Sequence, residues 1–338
     1  MKLNLQPLII SSKALGQPLS IRSKIFKQPT GILMRLVTYQ MLNATELKTG
    51  ILVSKDQVLD IVAEASLRKN AANVSSMLDI IRGGEPTMAL LRDIASDPKT
   101  EPILLNRALL KAPIPRPTKN VFCVGWNYLE HFEEGGKLLK DDRELPKFPV
   151  FFTKAPTAVN GPYDVIPFDE KISTQLDWEV ELGVIIGGFG KLTAKNISEA
   201  DAMNHIFGYT IINDVTWRDV QRRHGGQWFK GKSLDGTCPM GPCIVTADEI
   251  DPTNLHIECR VSGVVKQKSN TKHLYFKIPR LIHDLSEGMT LEAGDIISTG
   301  TPEGVGFART PPEWMRYGDL LETEIEGIGV MRNPVGSY

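Results

Sequence analysis

From about residue 120 to the last residues, the chain is a succession of short apolar runs separated by turn residues. Most of these runs are rich in β-branched residues, which favour strands over helices. The pattern predicts an α+β, predominantly β fold class, with helices near 197–203, 217–223 and 279–285. The predicted strands lie at 120–125, 150–153, 178–186, 205–212, 244–246, 257–261, 296–298 and 320–325.

The segment 34–112 has a different pattern, which predicts a small N-terminal α/β domain. Three strands are expected first, followed by two helices separated by glycines and a proline, at 35–40, 50–53, 57–62, 73–81 and 87–94. Pro113, Pro115 and Pro117 then stiffen a short connector. The remaining part of the chain, 113–338, is predicted to be a second and larger domain.

Residues 1–33 form a basic N-terminal extension with several lysines and serines but no acidic residue. Such a leader resembles an organellar transit peptide, which would place the protein in mitochondria. The alternative is an upstream start codon, with Met34 opening the folded protein. Transit peptides favour arginine, and Arg22 is the only arginine of this leader. We therefore favour the second interpretation and a cytoplasmic location.

Composition excludes several classes of function. Lys and Arg number 39 and Asp and Glu number 40, so the net charge is −1. A nucleic-acid-binding protein needs a basic surface, which this balance does not supply. No apolar run reaches the roughly 18 residues that a membrane span requires. The 4 cysteines include no Cys-x-x-Cys pair and are too irregularly spaced for a disulfide framework, which favours a reducing compartment.

Two glutamates lie on one face of a predicted strand. Side chains at i and i+2 share a face, so Glu179 and Glu181 point the same way, while Trp178, Val180 and Leu182 point into a core. Adjacent carboxylates repel unless they are solvated, protonated or bridged by a cation. A solvent-facing strand is the alternative, but the apolar continuation to 186 favours a central strand and a metal site. Oxygen ligands suit Mg²⁺, Mn²⁺ or Ca²⁺.

A third carboxylate is available where the strand predicted at 205–212 ends. Asp214 follows this strand directly and is well placed to join a metal site. It is equally well placed to be the N-cap of the helix predicted at 217–223. Spacing alone leaves both interpretations open.

The residues of segment 226–233 match the phosphate-binding pattern G-x-x-x-x-G-K-S, but the segment lacks the surroundings of a phosphate-binding loop. No apolar strand precedes it, and the bulky Trp228 and Phe229 suit a phosphate loop badly. Lys232 is then either a cation that pairs with a substrate carboxylate or an ordinary solvated lysine. Without other support, the second interpretation is preferred.

Two further patterns are weak when taken alone. His131 and Glu134 would be neighbours on a helical turn, which suits a general base oriented by a carboxylate but also an ordinary surface pair. The Gly-rich turn at 298–306 follows a strand and could present backbone amides or the Thr301 hydroxyl to an anion. An ordinary tight turn fits that segment as well.

In combination, these segments resemble the fumarylacetoacetate hydrolase superfamily. The resemblance covers roughly 113–338, and it rests on blocks that occur in one order. They are GWNY at 125–128 with His131 and Glu134, FTK at 152–154, DWEVE at 177–181, NDVT at 213–216 with Arg218, Asp219 and Gln221, GKS at 231–233, CPMGP at 238–242 and STGTPEGVG at 298–306.

The resemblance implies a mixed β-roll catalytic domain that forms a homodimer and binds Mg²⁺ or Mn²⁺. The positions that match the family's functional residues fall into three groups. They are the metal ligands Glu179, Glu181 and Asp214, the catalytic residues His131, Glu134 and Lys232, and the substrate-binding residues Arg218, Gln221 and Thr301. In many members the His–Glu dyad lies on a mobile lid.

The substrate class implied by the resemblance is a 2-oxo or 2,4-dioxo acid. We expect a divalent-metal-dependent hydrolase of a carbon–carbon bond in such an acid, an acylpyruvate or fumarylpyruvate-like product of aromatic or sugar-acid catabolism. An oxaloacetate-type 2-oxo acid decarboxylase is the alternative, as is a hydratase or isomerase of a related 2-oxo acid. The hydrolase and the decarboxylase would both stabilise an enolate with the same metal and lysine.

Overall fold

The computed structural model describes residues 34–139, 144–188 and 192–337, and strands make up most of its regular structure. The predicted α+β, predominantly β class is confirmed. The strands are β1 Arg35–Met41, β2 Leu47–Ser54, β3 Gln57–Asp60, β4 Ile103–Leu104, β5 Ala108–Lys111, β6 Val121–Gly125, β7 Val150–Lys154, β8 Val159–Asn160, β9 Ile166–Pro167, β10 Leu176–Asp177, β11 Val180–Ile186, β12 Thr193–Ala194, β13 Ile206–Asn213, β14 Thr216–Trp217, β15 Cys238–Thr246, β16 His256–Val261, β17 Val264–Asn270, β18 Leu291–Glu292, β19 Ile296–Ser298, β20 Leu320–Ile325 and β21 Gly329–Gly336. The helices are α1 Ile61–Leu67, α2 Met77–Arg82, α3 Gly84–Ser96, α4 Leu129–Leu139, α5 Arg218–Arg223, α6 Phe229–Lys232 and α7 Ile278–Ser286.

Within the described residues, most strands join one 12-stranded mixed sheet. Its order is β4-β3-β2-β1-β15-β13-β11-β19-β6-β7, with β5 on β1 and β8 on β15. The pair β19–β6 is parallel, whereas β11 is antiparallel to both of its neighbours. A second sheet of 5 described strands has the order β17-β16-β20-β21-β9. These pairings place β11 and β13 in the interior of the main sheet.

Strand β11 separates two hydrophobic cores, because its side chains alternate between the faces of the sheet. Val180 and Leu182 are fully buried in one core, which also receives side chains of the second sheet. Ile185 belongs to the other core, with side chains from α2 and α3. A strand covered on both faces reads as a nearly continuous apolar run, which explains the sequence of this segment.

The N-terminal strands extend the main sheet instead of forming a sheet of their own. Strand β1 is antiparallel to β15, with Arg35 opposite Val245 and Leu36 opposite Ile244. On its other flank β1 pairs with β2, and part of its length also pairs with β5. The division into domains at 34–112 and 113–338 stays a prediction, and the two segments share this sheet.

Two predicted elements are wrong in detail. The strand predicted at 57–62 ends at Asp60, because the Asp60 carboxylate accepts a hydrogen bond from the Ala63 backbone N–H at 3.0 Å and caps α1. The helix predicted at 197–203 is absent from the described residues there, where turns lead into a short 3₁₀ helix at Ala202–His205.

Residues 1–33, with their two interpretations, lie outside the described residues. In the described part of the chain, no helix is long and apolar enough to cross a membrane.

The Asn127 side chain connects three segments of the chain next to the end of β6. Its side chain is fully buried, and Nδ2 donates to the backbone oxygens of Phe276 at 3.0 Å and Thr299 at 2.8 Å. Its Oδ1 accepts from the Phe276 backbone N–H at 2.7 Å. Because Thr299 lies in the turn after β19, these bonds fix that turn against the end of β6.

We expect Asn127→Ala to lower the free energy of unfolding by about 3 kcal/mol, because it leaves several buried backbone groups without a partner. Urea unfolding followed by circular dichroism measures the change. The matched control is Asn204→Ala, since Asn204 is exposed and its side chain bonds only Asp201 among the described residues. The control is expected to change the value by less than about 0.5 kcal/mol. Equal stabilities for the two variants would contradict the proposed tie.

Candidate active site

Three carboxylates converge at one end of the strand pair β11–β13. Glu179 precedes β11, Glu181 lies within it, and Asp214 follows β13. The strands are antiparallel with Val180 opposite Asn213, so the beginning of one meets the end of the other. One ligand atom of each residue lies within 4.8 Å of the others, and all three residues are buried. The alternative of a solvent-facing strand with two exposed glutamates is therefore wrong.

Buried cations hold two of these carboxylates in place. Lys232 Nζ donates to Glu179 Oε2 at 2.8 Å and to Asp214 Oδ2 at 2.7 Å. Lys154 Nζ donates to Asp214 Oδ1 at 2.7 Å, and Arg218 donates to Glu179 Oε1 at 2.5 Å. Burial alone would raise the pKa of Glu179, but Lys232 and then Arg218 outweigh it and lower the pKa to about 2.

Glu181 differs from the other two carboxylates, because it forms no ion pair within the described residues. Its Oε2 accepts from Ser298 Oγ at 2.6 Å and from the Gly300 backbone N–H at 2.8 Å. Burial, followed by the charges of Asp214 and Glu179, raises the pKa of Glu181 well above its usual value. A divalent cation would supply the missing positive charge, and three carboxylates are a donor set that Mg²⁺ and Mn²⁺ accept. The residues therefore fit such a metal.

The carboxylate cluster opens into a cavity of about 360 Å³. Glu179, Glu181 and Lys232 lie in its wall together with aromatic side chains. The full lining consists of Val124, Gly125, Trp126, His131, Gly135, Phe152, Glu179, Glu181, Arg218, Gln221, Arg222, Gly226, Trp228, Lys232, Thr301 and Phe307. A volume of this order suits a small organic acid.

The predicted His131–Glu134 pair lies on α4, and His131 reaches the same cavity. His131 Nδ1 is 2.8 Å from Glu134 Oε1, and Glu134 Oε2 accepts from the Gly304 backbone N–H at 3.0 Å. His131 is 5% exposed, so the ordinary surface pair is ruled out. Since Nδ1 is engaged by the carboxylate, Nε2 is the ring nitrogen left for a ligand.

Each predicted substrate-binding residue also lines the cavity, although much of its hydrogen-bonding capacity is already used. Arg218 Nε donates to Asp177 Oδ2 at 2.7 Å, besides its bond to Glu179. Gln221 Oε1 lies 3.4 Å from another Arg218 nitrogen. The Thr301 hydroxyl donates to the Val180 backbone oxygen at 2.9 Å and accepts from Gln267 at 2.8 Å. These bonds fix the shape of the wall.

The structure decides the alternatives that spacing left open. Asp214 does not cap α5, because the N-cap of that helix is Trp217. Lys232 is 2% exposed and bonds two carboxylates, so the ordinary solvated lysine is wrong. The phosphate-loop alternative has no support, since that lysine is already engaged by acids.

Sequence reasoning gave no role to three residues that complete the cluster. Asp177 shares the two-residue period of Glu179 and Glu181, and this period was the signal that pointed to it. Its carboxylate accepts from Arg218 and from the backbone N–H groups of Gly306 and Phe307. Lys154 lies at the end of an apolar strand, and Ser298 in the Gly-rich turn. Only the tertiary structure shows that both of them bond the acids.

Comparison with known proteins identifies the family. The model for the fumarylacetoacetate (FAA) hydrolase C-terminal domain matches residues 120–336. The chain belongs to this family. It is 41% identical over 312 residues to oxaloacetate tautomerase YisK of Bacillus subtilis, which covers 90% of this chain and 100% of that protein. The family resemblance inferred from the motif blocks is thereby confirmed.

Two further relatives of this fumarylacetoacetate hydrolase family member bear on its chemistry. The mitochondrial oxaloacetate tautomerase FAHD2A of Bos taurus is 43% identical over 267 residues, 77% of this chain and 79% of that protein. The crystal structure of maleylpyruvate hydrolase from Sphingobium sp. SYK-6, in complex with manganese(II) and pyruvate, has a TM-score of 0.68 and 29% identity. It covers 90% of this chain and 99% of that structure's chain.

We expect Glu181→Gln to weaken Mn²⁺ binding by at least about a hundredfold, because it removes a charged ligand while keeping the shape of the side chain. Glu181 is the cleanest position for this test, since no lysine or arginine in the described part of the chain pairs with it. Isothermal titration calorimetry measures the affinity. The control Glu170→Gln changes an exposed glutamate and should bind Mn²⁺ as the unaltered protein does. Full affinity in Glu181→Gln would exclude it as a ligand.

Proposed function

We propose that this protein is a divalent-metal-dependent isomerase that interconverts the enol and keto forms of oxaloacetate. The observation that carries the proposal is the convergence of the carboxylate cluster and the His131–Glu134 pair on one small cavity. Two relatives more than 40% identical, one bacterial and one mitochondrial, are oxaloacetate tautomerases. The proposal matches the isomerase alternative from the sequence better than the carbon–carbon hydrolase.

Glu179, Glu181 and Asp214 would hold the cation, which we propose to be Mg²⁺ or Mn²⁺. Once bound, such an ion acts as a Lewis acid that stabilises the negative charge of an enolate. Lys232 lies between Glu179 and Asp214 and donates a hydrogen bond to each carboxylate. Its ammonium group also adds positive charge to the wall of the cavity, where a substrate oxygen gains charge.

His131 would move the proton. Tautomerisation of the keto form removes a proton from the carbon beside the ketone and places a proton on the ketone oxygen. His131 Nε2 would take the first proton, while Glu134 stabilises the resulting imidazolium through Nδ1. The imidazolium then returns a proton to the oxygen. Atoms and charge balance, and no co-reactant is needed.

Hydrolysis of a 2,4-dioxo acid is a second candidate, favoured by a specific observation. The His131–Glu134 pair could equally activate a water molecule for attack on a carbonyl group. The similar Sphingobium structure is a maleylpyruvate hydrolase that holds manganese(II) and pyruvate. The decarboxylase alternative needs the same enolate stabilisation without the water. The substrate that is turned over and the product that is released together distinguish the three reactions.

A paired turnover assay tests the proposal. We expect Mg²⁺ to support rapid loss of the enol absorbance of oxaloacetate without pyruvate formation, and EDTA to abolish the acceleration. A simple acylpyruvate offered in parallel should not be cleaved. Pyruvate release from oxaloacetate would favour the decarboxylase, and cleavage of the acylpyruvate alone would favour the hydrolase. Either of these results would overturn the tautomerase proposal.

The variant His131→Asn tests the role of the histidine. We expect kcat to fall by about 10² to 10⁴, the usual contribution of a general acid–base residue, while Mn²⁺ affinity stays unchanged. The control His256→Asn alters a partly exposed histidine on β16 that does not line the cavity, and it should retain full activity. A variant His131→Asn with unchanged kcat would exclude the proton transfer assigned here.

A further inference from the structure

The cations in and beneath the cavity differ in how much of their charge the protein already neutralises. Lys232 bonds two carboxylates, and Arg218 bonds Asp177 and Glu179. Lys154 is fully buried against Asp214. Of these three groups, Lys232 and Arg218 line the cavity, and a substrate anion meets them with most of their hydrogen bonds already made to protein groups.

Arg222 lines the same cavity but is not neutralised in this way. Among the described residues, it forms no ion pair and no hydrogen bond, and its guanidinium carbon lies 5.6 Å from the centre of the Phe307 ring. The guanidinium of Arg218 lies 4.5 Å from the centre of the same ring. Burial, followed by the charge of Arg218, lowers the pKa of Arg222, although an arginine remains charged at neutral pH. Its positive charge is thus available to a ligand.

Helix α5 explains why Arg222 and its neighbour differ. Residues four apart share one face of a helix, which places Arg222 on the side of Arg218 and the cavity. Arg223 instead pairs with Asp219 at 2.9 Å, and it does not line this cavity. The two adjacent arginines therefore provide a matched pair, one facing the ligand and the other facing away.

We propose that Arg222 binds the second carboxylate of the substrate and makes the site selective for dicarboxylic 2-oxo acids. The inference rests on the proposed function, because it assumes that the 2-oxo carboxylate end lies at the acidic cluster. The far end of a substrate such as oxaloacetate then carries another negative charge. Arginine matches a carboxylate with two parallel hydrogen bonds, and the Phe307 ring lies within cation–π distance of the guanidinium, at 5.6 Å.

The test compares two five-carbon 2-oxo acids that differ at the far end, 2-oxoglutarate with a second carboxylate and 2-oxovalerate without it. Their inhibition constants or calorimetric affinities are measured in Mg²⁺ for the unaltered protein and for Arg222→Met, Arg222→Lys and Arg223→Met. We expect a preference for the diacid that falls roughly tenfold to a hundredfold in Arg222→Met, the range of one hydrogen bond to a charged group. Arg222→Lys should restore part of the preference, and Arg223→Met should keep all of it.

Kinetics with oxaloacetate give a second readout. In Arg222→Met, KM should rise by the same factor while kcat changes less than about threefold, since the residue binds a group remote from the reaction. An unchanged preference and KM in Arg222→Met, or equal losses in Arg223→Met, would overturn the inference. If the unaltered protein does not isomerise oxaloacetate, the proposed function fails, yet the binding comparison still tests Arg222.

Discussion

The antiparallel register of β11 and β13 brings Glu179 and Glu181 against Asp214, and the rest of the site depends on this contact. Three carboxylates in a buried space would repel one another strongly without compensation. Lys154, Lys232 and Arg218 compensate two of them and leave Glu181 with neutral donors only. Ion pairs at such depth contribute little net stability, because desolvation opposes the attraction. The arrangement is better understood as one that balances the charge of Glu179 and Asp214 and leaves Glu181 to be compensated by a bound cation.

The site has two parts that differ in how firmly the fold holds them: the acids with their lysines, and the His131–Glu134 pair. The acids and their lysines belong to central strands or to segments bonded to them, so packing on both faces of the sheet restrains their positions. The His131–Glu134 pair instead lies on α4, and the Gly304 backbone N–H connects it to the turn after β19. A Cβ at Gly125 would lie 2.5 Å from the Trp228 ring, so the aromatic wall also needs a glycine there.

Part of this site was readable from the sequence. The two-residue period of a strand placed Glu179 and Glu181 on one face, opposite the buried Trp178 and Val180, and the structure confirms that division. The burial of Lys232 could not be predicted from the sequence, because it depends on contacts with Asp214 and Glu179, which lie 18 and 53 residues away along the chain. The motif blocks indicated the family because they record such contacts indirectly. The blocks carry no information about residues outside the matched positions, and Arg222 is one of those residues.

The same limits explain the errors in the elements. Asp60 ended a strand that propensity alone would have continued, since a single capping hydrogen bond decides the boundary. The pairing of β1 with β15 was also invisible, because local patterns do not identify a strand's partner. That pairing has a consequence for any shortened version of this protein. A chain that began after the prolines would leave Ile244 and Val245 of β15 without their β1 partners, and such an unpaired strand edge promotes self-association through added strands. The N-terminal strands thus cover a sheet edge that would otherwise favour self-association.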